Sequence, residues 1–590
     1  MEVLSMAGSR TNGDAPRHRT RRMTVIAQDP SVPDKKNGGV LTVTLDVPLE
    51  RLAPGPRGSR VHVIDYDVST NTLYDPSQSN LDTDIYENQG DRQRLESDRD
   101  FHAWNVYAIV MATLARFEKA LGRRAPFSFP GGGLYPGAAP GRGHMIKVAP
   151  HAFLEPNAFY SRRDEGLFFG YFGSEKEPVF SCLSHDVIAH ETTHSLLDGL
   201  RSRFMDPTSA DQAAFHEAFA DVVAILSVFQ HPKVVEAAFR GDLDADGKVP
   251  YEGLSREKLQ KSFLLGLADQ MGEALKKVRG SALRNSATLP ASKDYLGQDE
   301  YKEEHRRGEV YVAAMLNSFI EVWINRMKTL GINDHRPIDL GRVVEEGSEA
   351  ASHLLTMAIR AIDYTPPVDV QFGDFLAALL TADRELYPDD SKFNYRDALF
   401  STFTSYGIDP PPKGEYWKPP ETSLRYNHFD SLQRDPDEAF AFIWENHDPL
   451  GLYRDAYTYV PSVRPCNRVD TDGFILRETI VEYVQILDVK ASELKQIKDL
   501  RKVDAEPLKK PETMPDGQAV RLYGGGVLVF DEFGALKFHV GSGVASDKQN
   551  ERIQYRWDRG AFNQRENLRR FANLHRMRVL GGRTSIKERW

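Results

Sequence analysis

The stretch Asp186-Val-Ile-Ala-His190-Glu191-Thr-Thr-His194-Ser-Leu-Leu-Asp198 decides how this chain is read. Positions four apart on a helix lie one turn above each other on one face. On a helix, His190 and His194 therefore aim two imidazoles at one point. That pair suits a zinc ion, which takes nitrogen ligands at roughly 2.0–2.1 Å. Glu191 is one residue on, so it flanks the metal rather than binding it. There it is placed to act as a general base on water activated by the metal. The flanks Val187, Ile188 and Ala189, then Leu196, Leu197 and Leu200, predict a buried helix, with Ser184 or Asp186 capping its start.

Two histidines do not make a catalytic zinc site, which needs three protein ligands and an open position. The third candidate is Glu217 in Ala214-Phe-His-Glu217-Ala-Phe-Ala-Asp221-Val-Val-Ala-Ile-Leu226. Glu217 and Asp221 are again four apart on an apolar helix. Two carboxylates there are costly to bury without partners. Glu217 can reach the metal, and Asp221 can accept a hydrogen bond from a ligand histidine and fix its tautomer.

Together these blocks resemble the thermolysin-like gluzincins, zinc endopeptidases with an H-E-x-x-H helix followed by an E-x-x-x-D helix. A third block agrees: Glu155-Pro-Asn157-Ala158-Phe159-Tyr160 lies upstream of the histidines. In that family such a segment is the edge strand of the cleft, so the resemblance implies that Asn157 and Ala158 hold the substrate backbone. It spans roughly residues 150–400, with three blocks in the family's order. It implies an α+β fold of two lobes, β-rich then helical, holding one zinc and hydrolysing peptide bonds. It also implies an oxyanion-stabilising histidine ahead of a long apolar helix. His305, before Val310–Ile324, holds the comparable place, with Glu300, Glu303 or Glu304 to orient its other nitrogen. The family spacing is H-x-x-x-G, whereas His305 is followed by Gly308. The family's assisting tyrosine has no clear match near Phe204-Met205, and its substrate-binding arginine has none.

Calcium is not expected. Val228 stands where thermolysin relatives carry an acidic calcium ligand. Asp242, Asp244, Asp246 and Gly247 imitate the start of a calcium loop, but position twelve is Gly253, where a Glu is needed. That segment reads as a polar turn.

Length and composition bound the rest. A chain of 590 residues is too long for one compact core, and 41% hydrophobic with 27% charged residues suits a globular protein. A net charge of −10 gives nucleic-acid binding no support. No run is expected to span a membrane. The two cysteines, Cys182 and Cys466, make no disulfide framework, and Cys182 reads as a small buried residue rather than a ligand. The start, Met1-Glu-Val-Leu-Ser-Met, lacks the apolar stretch of a signal peptide, so a cytoplasmic protein is expected.

Taken in order, residues 1–36, with Arg17, Arg19, Arg21 and Arg22, read as a disordered tail. A β-rich lobe is expected over 37–185, with alternating strands at 40–47 and 60–67 and a helix over 101–121. The Gly- and Pro-rich stretch 125–143 reads as a loop, without the G-K-[ST] of a phosphate site. The helical zinc lobe occupies 186–408, including helical stretches over 255–280 and 308–410. Pro410-Pro-Pro-Lys-Gly is a linker. Residues 415–590 form an additional β-rich domain of unassigned role, with strands at 473–488 and 519–541 and a basic end from Arg565 to Trp590. A peptide or protein is the expected substrate, and a protein partner is conceivable for the C-terminal domain. The rival reading is a catalytically silent, zinc-stabilised interaction protein that recruits partners through that domain. An open fourth zinc position speaks against it, since structural sites are closed.

Overall fold

A computed structural model describes residues 20–30, 34, 38–77, 83–87, 89–129, 144–174, 177–239, 243–260, 286, 288–330, 336–411, 424–425, 428–469, 473–498, 506–546 and 548–562. Arg17 and Arg19, most of the Gly/Pro loop, Asp242, the stretch 261–280, the end of the proline linker and the basic C-terminal end lie outside the described residues.

The chain opens with β1 (Thr20–Ile26) and β2 (Thr42–Pro48), an antiparallel pair in which Met23 faces Leu45 and Val25 faces Val43. Over residues 20–30 the structure differs from the tail expected over 1–36. Met23, Val25, Ile26 and Ala27 are wholly buried, because the second strand supplies the apolar partners that a lone arginine-flanked segment lacks. Short strands β3 (Val61–Val63), β4 (Tyr66–Asp67) and β5 (Thr72–Leu73) follow. Helix α1 (Arg92–Ser97) leads into α2 (Arg99–Leu121), whose Asp98 cap accepts from the amides of Asp100 and Phe101. Helix α2 ends at Gly122 in the left-handed region, φ 68°. A side chain there would also collide with the main chain of Asn467.

Next come β6 (Ile146–Phe153), β7 (Ala158–Ser161), β8 (Gly166–Ser174) and β9 (Glu177–Phe180). They build a sheet in the order β3-β6-β8-β7, with β9 also on β8. β3, β6 and β8 run parallel, while β7 returns antiparallel and forms one edge.

The helical part begins with α3 (His185–Leu200), α4 (Ala210–Phe229) and α5 (Pro232–Phe239), then the short strand β10 (Lys248–Val249). It continues through α6 (Glu304–Lys328), β11 (Ile338–Asp339), α7 (Leu340–Ala361), α8 (Phe372–Leu386) and α9 (Tyr395–Ser405). Helix α4 is long and apolar enough to cross a membrane by composition, but it is wholly buried between its neighbours.

Beyond it lie α10 (Phe429–Leu432), α11 (Pro436–Glu445), the antiparallel meander β12 (Tyr457–Val469), β13 (Ile475–Lys490), β14 (Ala519–Phe530) and β15 (Leu536–Ser542), and α12 (Gln549–Asp558). Cys466, Ile480, Val527 and Val529 of this meander belong to the same apolar core as α2, α3 and α4. Buried charges join them as well. Arg201, just past α3, pairs with Glu482 at 3.1 Å and donates to the Ile362 carbonyl at 2.7 Å. Asp363 receives Arg123 and Arg468 together.

Candidate metal centre

All 16 residues of α3 are buried, polar ones included. That is tolerable only if each polar group finds a partner. Several do so within the helix: Thr192, Thr193 and Ser195 donate their hydroxyls to the carbonyls of Ile188, Ala189 and Thr192 at 2.7 Å. Ser184 precedes the helix but makes no side-chain cap, its hydroxyl going to Asp29 at 2.5 Å instead. Asp198 reaches sideways, accepting from Tyr160 Oη and from Arg162 Nε at 2.8 Å each.

Helix α4 packs on α3, with its first turn capped by Ser209 accepting from the Gln212 amide. It brings the Glu217 carboxylate to 3.5 Å from His190 Nε2 and 3.4 Å from His194 Nε2. One donor atom from each of these three residues lies within 4.8 Å of the others. Two ligands on a tetrahedral ion at 2.0–2.1 Å stand roughly 3.3–3.4 Å apart. The two separations, one to each Glu217 oxygen, are close to that spacing. Two nitrogens and one oxygen are also a donor set that zinc accepts, so these residues fit a zinc ion.

The outer atoms are arranged to the same end. His190 Nδ1 sits 2.8 Å from Asp221 Oδ1, and a carboxylate at that nitrogen favours the tautomer that leaves the lone pair on Nε2. His194 Nδ1 meets His216 Nδ1 at 2.9 Å. With His194 as the donor, the lone pair lies on its Nε2, the nitrogen that faces Glu217; the tautomer is assigned from these partners. Burial pushes the His194 imidazole down to about 4 despite the pull of Glu217, so the ring is neutral at neutral pH, as a ligand must be. His216 is the site residue that sequence reasoning missed. Its only signal is that it immediately precedes Glu217.

Glu191 is wholly buried beside this cluster, and its Oε2 accepts from the Tyr160 amide at 3.1 Å. That bond joins α3 to edge strand β7. Asn157 lies just before the strand, with its carbonyl accepting from the Gly170 amide at 2.8 Å. Strand alternation then turns the main chain of Ala158 and Tyr160 away from β8, towards the open edge.

His305 lies in the first turn of α6, which packs on α4 with Gly308 against Ala214 and Ala218. Glu303 caps that helix and accepts from the Arg306 amide, while its other oxygen sits 2.9 Å from His305 Nδ1. Although burial opposes ionisation, the His305 contact holds the Glu303 carboxyl down at about 2. His305 Nε2 is buried with no hydrogen-bond partner among the described residues, so His305 is oriented by Glu303 but not bonded to the metal cluster. Of the residues singled out in the sequence, the structure thus gathers His190, His194, Glu217, Asp221 and Glu191, brings Ala158 alongside through β7, and leaves His305 on the adjoining helix. Phe204, where the family's assisting tyrosine was sought, is buried against Phe215 and offers no hydroxyl.

At the turn after α5, Asp244 Oδ1 accepts from the amides of Asp246 and Lys248, at 3.0 and 2.9 Å. Val228 is buried in α4.

No family model matches this chain, and no curated protein matches it.

Proposed function

We propose that this protein is a zinc-dependent endopeptidase of the thermolysin-like type, α+β, with its cleft between the β7 edge and the α3–α4 pair. The observation that carries the reading is Glu191. It is a buried carboxylate beside a three-donor cluster, excluded from ligation by its position on the helix and oriented by the Tyr160 amide. A structural metal site has no use for such a group, whereas hydrolysis needs one.

His190, His194 and Glu217 would hold the ion. Zinc bound there supplies Lewis acidity towards a carbonyl and makes water a stronger acid. Glu191 accepts the proton of the attacking water at its carboxylate and delivers it to the leaving amine. Ala158 offers main-chain groups along the β7 edge, on which an extended peptide would add as a further strand, while the Tyr160 amide stays on Glu191. Asn157, just before that strand, would hold the peptide backbone. His305, held through Nδ1 by Glu303, offers Nε2 to the oxyanion of the tetrahedral intermediate.

The test is Glu191→Gln. Glutamine is nearly isosteric and Glu191 is not a ligand, so fold and zinc content should persist. General-base catalysis is worth roughly 10²–10⁴-fold, and peptide cleavage should fall by at least about that factor. Zinc-loaded wild type and variant are incubated with a diverse peptide mixture, with and without a zinc chelator, and new termini are read by mass spectrometry. Cleavage that both chelation and the substitution abolish supports the reading. No cleavage by the zinc-loaded wild type, or full cleavage by the variant, refutes it and favours the interaction protein.

A further inference from the structure

We propose that His102, His151 and Cys182 form a second metal site, for a thiophilic divalent ion of the zinc class. It is distinct from the His190–His194–Glu217 centre and stands whether or not that centre hydrolyses peptides. His102 lies in the first turn of α2, His151 on β6, and Cys182 in the 3₁₀ turn Ser181–Leu183 that leads into α3. All three are buried, and one donor atom from each lies within 4.8 Å of the others. Their sequence separations hide the cluster, and Cys182 on its own reads only as a small buried residue.

The hydrogen bonds around the cluster carry the argument. His102 Nε2 faces the carbonyls of Leu95 and Glu96 at 3.2 and 3.1 Å. A carbonyl only accepts, so that nitrogen bears the hydrogen and Nδ1 bears a lone pair. His151 Nδ1 faces both oxygens of Asp65 at 2.9 Å. The same logic puts its hydrogen there and its lone pair on Nε2. These two inner nitrogens stand 2.7 Å apart. Two lone pairs so close require a cation between them, either a proton or a metal. Outward hydrogen bonds to a carboxylate and to backbone carbonyls are the arrangement that prepares histidines as metal ligands.

The thiol decides between the two cations. A shared proton has no need of a sulfur, whereas an N,N,S donor set suits zinc and its neighbours. Binding a divalent ion would displace two protons, one from Cys182 and one shared by the imidazoles, so the buried charge is unchanged. The nitrogens must part by about 0.6 Å to reach the roughly 3.3 Å spacing of a tetrahedral ion. The Phe180 ring covers both imidazoles, with centroids 4.7 Å from His102 and 5.3 Å from His151. An ion here would tie α2, β6 and the entry to α3 at one point.

Cobalt(II) is the probe. It replaces zinc, and a thiolate ligand gives it a near-ultraviolet sulfur-to-metal charge-transfer band. The His190–His194–Glu217 centre has no sulfur, and Cys466 is buried on β12 with its thiol donating to the Glu478 carbonyl. The demetallated full chain is titrated with cobalt while absorbance is followed, and bound metal is counted by mass spectrometry. We expect two equivalents, one of which brings up the band. Cys182→Ser should remove the band and one equivalent; Glu217→Ala should remove the other equivalent and leave the band. Binding of a single equivalent without the band by wild type would overturn the proposal, leaving a shared proton between His102 and His151. A band that survives Cys182→Ser would overturn it too. The wild-type titration decides even if the serine variant does not fold.

Discussion

Replacing Asp363 with asparagine tests whether the C-terminal meander is part of the same folded unit as α3. Asp363 is fully buried and accepts from Arg123 Nη1 at 2.6 Å, Arg123 Nη2 at 2.5 Å and Arg468 Nη2 at 2.5 Å. Arg123 follows α2, and Arg468 lies on β12. Burial by itself raises a carboxyl's pKa, but the Arg123 and Arg468 guanidiniums outweigh it and hold Asp363 well below the usual carboxylate range. Asparagine keeps the shape, removes the charge and turns an N–H₂ towards guanidinium donors. Arg468 retains Glu478, while among the described residues Arg123 keeps the Leu121 carbonyl as its one remaining partner. Breaking one side of a buried ion pair costs about 3–5 kcal/mol, and we expect a loss in that range at pH 7. A depressed carboxyl contributes stability above its unfolded pKa of about 3.9 and loses it as pH falls through the folded value. The gap between wild type and variant should therefore hold from neutral pH down to about pH 4 and narrow below it. Urea unfolding is followed by circular dichroism and tryptophan fluorescence; Trp104 and Trp323 report on the helical body, Trp444 and Trp557 on the C-terminal part. A loss under about 1 kcal/mol would refute the buried-pair reasoning. A shift confined to the C-terminal tryptophans would refute the single unit.

Glu217→Ala should lose zinc from the His190–His194 centre, because two imidazoles leave the ion under-coordinated; metal analysis showing that equivalent retained would mean the third ligand lies elsewhere. His216→Ala should weaken metal binding about 10–100-fold by freeing the His194 ring, measured by competition with a chromophoric chelator. A calcium-selective chelator should leave the melting temperature of the zinc-loaded protein unchanged, since Asp244 is engaged by its own turn; a large fall would promote Asp244 and Asp246 to ligands.

What could be read from the sequence was local. His190 and His194 are four apart, as are Glu217 and Asp221, and helical geometry alone turns each pair to one face. The alternation in β2 is equally short-range. His216 could not be read, because its partner His194 lies one helix away and a histidine on an apolar helix has many uses. The strand β1 was missed because Arg21 and Arg22 mask an alternation that only β2 completes. The buried charges were the least legible. Arg201, Asp363, Arg468, Glu478 and Glu482 look like surface residues in a chain with 27% charged residues, and their contacts join segments more than a hundred residues apart. Whether a charge is buried depends on which distant charge it meets.

These contacts bear on the site through α3. Its entry is held where the Gln28 carbonyl accepts from the His185 amide at 2.7 Å and Asp29 holds Ser184. Its flank is held by Arg162 and Tyr160 on Asp198, and Gly199 packs so closely on Pro126 that a β-carbon would overlap its carbonyl. At its exit the Leu200 carbonyl accepts from Arg201 and from Arg464 of β12, at 3.0 and 3.1 Å. A three-donor site needs its side chains within about 0.5 Å of working geometry. Two of those side chains ride on this one helix, so whatever fixes the helix fixes the site. The meander therefore helps to fix the helix that carries two of the candidate metal ligands. Cutting the chain near Gly407 would remove Arg464, Arg468 and Glu482 and strand Arg201 and Asp363 as buried charges without their ionic partners from the meander. Its role is better probed by point substitutions such as Arg464→Met, which leaves the core closed. Metal affinity and stability should then fall together, whereas an appended recruitment domain would leave metal affinity untouched.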